Sequence, residues 1–109
     1  MPQSSGNDEE DNTMADKLNR ESVQGWLSGR AGWKRKSNAL VKDFSFPSFR
    51  NAIVFVNRVA TLADNADHHP DIHISFDRVS LSLSTHSAGG ITQKDLTLAE
   101  KVDFSTSAS

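Results

Sequence analysis

The chain has no cysteine, so neither a disulfide framework nor a thiolate metal site is open to it. That absence suits a reducing compartment without requiring one. No apolar run approaches the roughly 20 residues needed to cross a bilayer. The opening MPQSSGNDEEDNTMAD has no hydrophobic segment of the kind a secretory signal needs. Positive charge is missing there too: Asp8, Glu9, Glu10, Asp11 and Asp16 stand with no Lys or Arg among them. Such a stretch cannot bury enough apolar surface to fold, which predicts a disordered acidic leader over residues 1–15. The expectation is a cytoplasmic protein with no membrane association.

What is present fits one domain. A chain of 109 residues can bury a single core without staples. Beyond residue 16, nine acids face twelve bases, so the body is mildly basic. Arg30, Lys34, Arg35 and Lys36 lie close together but read as the solvated face of a turn and strand. They fall short of the dense footprint of a nucleic-acid binder, and no direct nucleic-acid contact is expected.

Residues 16–28 predict a short helix, with Asp16 as cap and Leu18, Val23, Trp26 and Leu27 as its apolar stripe. Gly29 and Gly32 end it. Residues 33–36 and 39–46 predict two strands joined across Ser37-Asn38. Leu40, Phe44 and Phe46 share one parity, and Lys42 is the exception. Pro47 suits the first turn of a helix expected over 48–66. There Phe49, Ala52, Ile53, Val56, Val59, Ala60 and Ala63 keep one face over four turns. Pro70 biases His69 away from helical geometry. Ile72, Ile74 and Phe76, then Val79, Leu81 and Leu83, alternate with polar residues about Asp77-Arg78, the signature of a tight hairpin. Residues 87–90 read as a loop. Thr92-x-x-Asp95 resembles a capping box opening a helix through Leu96, Ala99 and Val102, and residues 105–109 are expected to fray. The order α-β-β-α-β-β-α predicts an α+β fold: a four-stranded antiparallel sheet with three helices packed on one face. The domain is expected to span 16–105, with a frayed tail at 106–109.

The chemistry gathers in one stretch. His68, His69 and His86 fall between Asp64 and Asp95, and imidazole is the side chain best suited to moving protons near neutral pH. His68 and His69 diverge if the backbone is extended, so one can face a pocket while the other orients it. Asp64 shares a face with His68 if the helix persists that far, and its carboxylate would then fix the imidazole tautomer. The plainer alternative is a polar helix exit. A turn at Asp77-Arg78 pairs residues whose numbers sum to about 155, which sets His69 opposite His86 at the hairpin's open end. Asp95 either orients the site or simply caps its helix. His73 falls on the polar face with no role, and Trp33 reads as core. A zinc site built from the histidines is the rival, but the adjacent pair diverges and no helical H-x-x-x-H pair is present, so no metal is expected. The serines sit mid-strand, unlike a nucleophile on a sharp elbow.

The spacing Asp64-x3-His68-His69-Pro70-x5-Phe76-x9-His86-x8-Asp95 closely resembles the signature of the pterin-4a-carbinolamine dehydratases. Gly32-Trp33, Phe44-Ser-Phe46, residues 55–59, residues 83–86 and Gly90 resemble the family's frame, over about residues 17–104. The resemblance implies dehydration of 4a-hydroxytetrahydropterin to quinonoid dihydropterin, the recycling step after aromatic amino-acid hydroxylation, with no cofactor. It implies that His68, His69 and His86 are the catalytic and binding histidines, with His68 as acid and His86 as base. Pro70, Thr85, Ser87 and Ala88 would hold the pterin, Trp33 would form a wall, and Asp64 and Asp95 would orient the site. A homodimer or homotetramer is implied as well. Asp64 stands where many members have Glu, and Phe76 where Tyr is common. The alternative within the family is a dimerisation or protein-binding module without catalysis.

Overall fold

The computed structural model describes residues 16–107, so the expected leader and the last two residues of the expected tail lie outside it. Helix α1 (Arg20–Leu27) begins at Asn19, whose side chain accepts the Ser22 N–H at 2.8 Å. The sequence pointed to Asp16 as the cap. The chain before Asn19 is instead drawn along the loop ahead of the last helix, where the Leu18 N–H donates to the Ile91 carbonyl at 2.8 Å. Asn19→Ala should therefore lower unfolding free energy by about 1 kcal/mol, read from the urea midpoint, while Asp16→Ala should leave it unchanged.

Strands β1 (Lys34–Lys36) and β2 (Ala39–Ser45) join across Ser37-Asn38. Lys42 breaks the alternation of β2 yet belongs to the inner face. Its stem lies so close to Gly32 that a Cβ there would meet Lys42 Cε at 2.9 Å. Its ammonium donates to Asp103 Oδ1 at 2.8 Å and lies 4.9 Å from the centre of the Phe44 ring. The methylenes stay in the apolar layer while the charge reaches its edge.

Helix α2 (Phe49–Ala66) starts at Ser48, whose hydroxyl accepts the Asn51 N–H at 3.1 Å. Pro47 thus precedes the cap and does not occupy the first turn. The buried face is Ala52, Phe55, Val59 and Ala63. Phe49, expected on that face, is exposed, and Phe55 fills the space against Phe44 and Phe46.

Strands β3 (Asp71–Ser75) and β4 (Arg78–Leu83) form the second hairpin, followed by a 3₁₀ turn at His86–Ala88 and helix α3 (Gln93–Ser107). The helix runs past residue 105, where fraying was expected. The sheet order is β1-β2-β4-β3, antiparallel throughout. Leu40, Val79, Leu81 and Leu83 of the sheet meet Ala52, Phe55, Val59, Leu98, Ala99 and Val102 of the helices in one core. This is the α+β architecture the pattern predicts.

The second turn differs by one residue. It is Phe76-Asp77, with Phe76 at φ 54°, and the paired residues are Ser75↔Arg78, Ile74↔Val79 and His73↔Ser80. Arg78 cannot serve as a turn residue because it pairs with Ser45 of β2, and the Asp77 carbonyl accepts the Phe46 N–H at 2.9 Å. Phe76 is consequently pushed out, 71% exposed. Strand β3 lies at the sheet edge, and its Ile72 and Ile74 stay partly open to solvent.

Candidate active site

Helix α2 ends in a Schellman motif. The His68 N–H donates to the Ala63 carbonyl at 3.1 Å and the Asp67 N–H to the Asp64 carbonyl at 3.2 Å, with Asp67 left-handed at φ 51°. That reversal ends the helical face shared by Asp64 and His68, so the expected pair does not form. Asp64 Oδ1 lies 2.9 Å from His69 Nε2, and His68 is turned towards α3, its Nε2 2.5 Å from Asp95 Oδ1. His68 and His69 each have a carboxylate, and Asp64 serves His69 where the sequence pointed to His68. The two pairs also differ in setting. The His69–Asp64 pair is open to water, whereas the His68 side chain is 12% exposed and that of Asp95 is fully buried.

Asp95 meets both the start of its helix and an imidazole. Its Oδ2 accepts the Thr92 N–H at 2.9 Å, closing the capping box at the start of α3, while Oδ1 holds the imidazole. Oδ2 also accepts the Thr85 hydroxyl at 2.9 Å, and the Thr85 and Thr92 hydroxyl oxygens are 2.7 Å apart. Thr85 was expected to hold the substrate. Its side chain is buried and its hydroxyl is committed to Asp95, because the Thr85–Gly90 bridge fixes the backbone there and aims the hydroxyl inwards. Thr92 was missed as part of the site, although the capping-box pattern already carried the signal.

His86 follows Thr85 directly and opens the 3₁₀ turn, with its ring on the exposed side of the loop. The hairpin register extends to set residue 84, not 86, across from His69, because the turn lies one residue earlier than expected. His86 therefore lies on the loop after β4, outside the lining of the cleft beside His68, and is not a cross-strand partner of His69. Ser87 is exposed, Ala88 and Pro70 are half-buried, and the Ala88 N–H donates to the Thr85 carbonyl at 3.0 Å. Trp33 does not form an open wall. It is 4% exposed, stacked edge-on against Trp26 and Phe44, with its indole N–H given to Asp103 Oδ2 at 2.8 Å. A ring of that size is worth most inside the core, as the residue pattern alone suggested.

Beside His68 a cleft of about 310 Å³ opens between the end of α2 and the first turns of α3, lined by Ala66, Gln93, Lys94, Thr97, Leu98 and Lys101. That volume lies at the small end of the range typical of small-molecule sites. Among the described residues, no three His, Asp or Glu side chains converge in a way that could hold a metal ion. No helix among them is long and apolar enough to cross a membrane.

A largely buried imidazole thus rests on a buried carboxylate beside the cleft, and a second imidazole, that of His86, is exposed on the loop after β4. A family model described as pterin 4 alpha carbinolamine dehydratase matches residues 16–105. The chain belongs to that family. Among relatives of this dehydratase-family chain, one from Thermomicrobium roseum, named as a candidate pterin-4-alpha-carbinolamine dehydratase, is 49% identical over 86 residues, 79% of this chain and 92% of the relative. Another so named, from Roseiflexus castenholzii, is 50% identical over 90 residues, 83% of this chain and 97% of the relative. A solved structure of a transcriptional coactivator/pterin dehydratase from Brucella melitensis superposes with TM-score 0.78 at 30% identity, covering 81% of this chain and 96% of that one. A pterin dehydratase-like protein identified as a RuBisCO assembly factor in the alpha-carboxysome gives TM-score 0.54 at 25% identity, covering 65% and 82%.

Proposed function

We propose that the protein is a cytoplasmic hydro-lyase that dehydrates 4a-hydroxytetrahydropterin to quinonoid dihydropterin in tetrahydrobiopterin recycling. The observation that carries the reading is the buried Asp95–His68 pair, set in a domain matched over its full length by the dehydratase family. The reaction breaks the C4a–O bond and forms a C4a=N5 double bond. His68 gives a proton to the departing hydroxyl, which leaves as water. The N5–H electron pair supplies the new double bond, and His86 takes the N5 proton. Atoms and charge balance without a redox partner or cofactor, and two imidazoles suffice for both transfers. His69, steadied by Asp64, and Pro70 lie at the chain reversal, where they would hold one edge of the pterin. Ser87 and Ala88 would hold another.

Adding the protein to a phenylalanine hydroxylase reaction should speed decay of the 4a-hydroxypterin absorbance in proportion to its concentration. An unchanged decay would sink the proposal.

A second reading, a module that binds protein without catalysis, draws support from the relative named as an assembly factor and from the open edge of β3 with Ile72, Ile74 and Phe76. The same edge is suited to pairing with a second copy into a homodimer or homotetramer. Capture of a partner by a chain inactive in the assay above would favour this reading.

A further inference from the structure

We propose that Thr85 and Thr92 are positioning residues that, through Asp95, keep the His68 proton on Nε2 and leave Nδ1 as the nitrogen that works on the substrate. The catalytic half of this rests on the dehydratase reading. The placement of the proton does not.

A hydroxyl has one proton to give. Thr85 gives its proton to Asp95 Oδ2 at 2.9 Å, so at the 2.7 Å contact with Thr92 its oxygen accepts and Thr92 donates. The Thr92 oxygen in turn accepts the Lys94 N–H at 3.2 Å, and its own backbone N–H also goes to Asp95 Oδ2, at 2.9 Å. The bonds therefore run one way, from Lys94 through Thr92 and Thr85 to Asp95. A carboxylate can only accept. The hydrogen in the 2.5 Å contact between Asp95 Oδ1 and His68 Nε2 consequently sits on Nε2. With the opposite tautomer, two lone pairs would face each other in a buried setting, since the Asp95 side chain is wholly out of solvent.

The backbone keeps this chain of donors in place. The Thr85 N–H donates to the Gly90 carbonyl at 2.8 Å and the Gly90 N–H returns to the Thr85 carbonyl at 3.3 Å. Both threonines are β-branched and stiff at χ1, so fixing the backbone fixes the hydroxyls. The proton that His68 gives to a departing hydroxyl then leaves from Nδ1. The imidazole left behind is already the tautomer that Asp95 prefers, with no ring flip between turnovers.

The test uses the full chain labelled with ¹⁵N-histidine, with long-range ¹H–¹⁵N spectra recorded on the neutral imidazole. His68 should show the Nε2–H pattern. Thr85→Val and Thr92→Val should each shift His68 towards a tautomer mixture and lower kcat about ten- to hundredfold with KM little changed, as for other residues that orient a working imidazole. Thr85→Ser and Thr92→Ser should restore both readouts. An Nδ1–H pattern in the unaltered chain would overturn the proposal, as would valine variants that keep spectrum and kcat. Should a valine variant fail to fold, the spectrum of the unaltered chain still decides where the proton lies. The expected spectrum in a chain without turnover would support the wiring and overturn the dehydratase reading instead.

Discussion

His68→Ala is expected to lower kcat for pterin dehydration by about 10²–10⁴-fold, the usual worth of one general acid or base. Of the expected histidines, His68 is the one gripped by a fully buried carboxylate and the one that lines the cleft between α2 and α3. His86→Ala should cost a comparable factor if the two rings take opposite ends of one elimination, and the double variant should fall no further than slow background turnover. Asp64→Ala should do much less. Its pair with His69 is more than half exposed on both sides, and such pairs contribute about 1 kcal/mol or less. Stopped-flow decay of the 4a-hydroxypterin intermediate measures all four variants. Equal rates for His68→Ala and the unaltered chain would remove the acid from the mechanism.

Asp95→Ala should be the most destabilising single change at the site, by about 3–5 kcal/mol, because it leaves a buried imidazole, a hydroxyl and a backbone N–H without their acceptor. Asp95→Asn separates stability from function. The amide oxygen can still take the Thr92 N–H and the Thr85 hydroxyl, so the cost in stability should be only about 1–3 kcal/mol. The amide nitrogen would then face His68 Nε2 as donor against donor, and kcat should fall by a factor approaching that of His68→Ala. Urea midpoints paired with kcat give both numbers. An Asp95→Ala chain within about 1 kcal/mol of the parent would show that the pair carries little stability.

The features legible in the sequence were those with a local cause. Ala52, Val59 and Ala63 on the buried face of α2 followed from spacing, whereas Phe49 and Ala60 are exposed and Phe55 is buried in their stead; the two hairpins followed from alternation, and the capping box at Thr92-x-x-Asp95 from residue type. What was not legible depends on contacts between distant segments or on rare backbone angles. Asp67 and Phe76 take left-handed conformations without being glycine, so nothing in their identity announced the reversal that hands Asp64 to His69 or the turn that shifts the register. The Phe46–Asp77 hydrogen bond that settles the turn joins residues 31 positions apart. Asn19 replaced Asp16 as cap because Leu18 is tied to Ile91, a contact with no signal along the chain. The family signature carried no information on which carboxylate meets which histidine, and the wall it implied for Trp33 gives way to a place in the core.

Because one carboxylate both begins α3 and steadies His68, unwinding of that helix's first coil and release of the imidazole are a single event. Warmth or denaturant that loosens residues 92–95 is thus expected to free His68 from its carboxylate at the same moment.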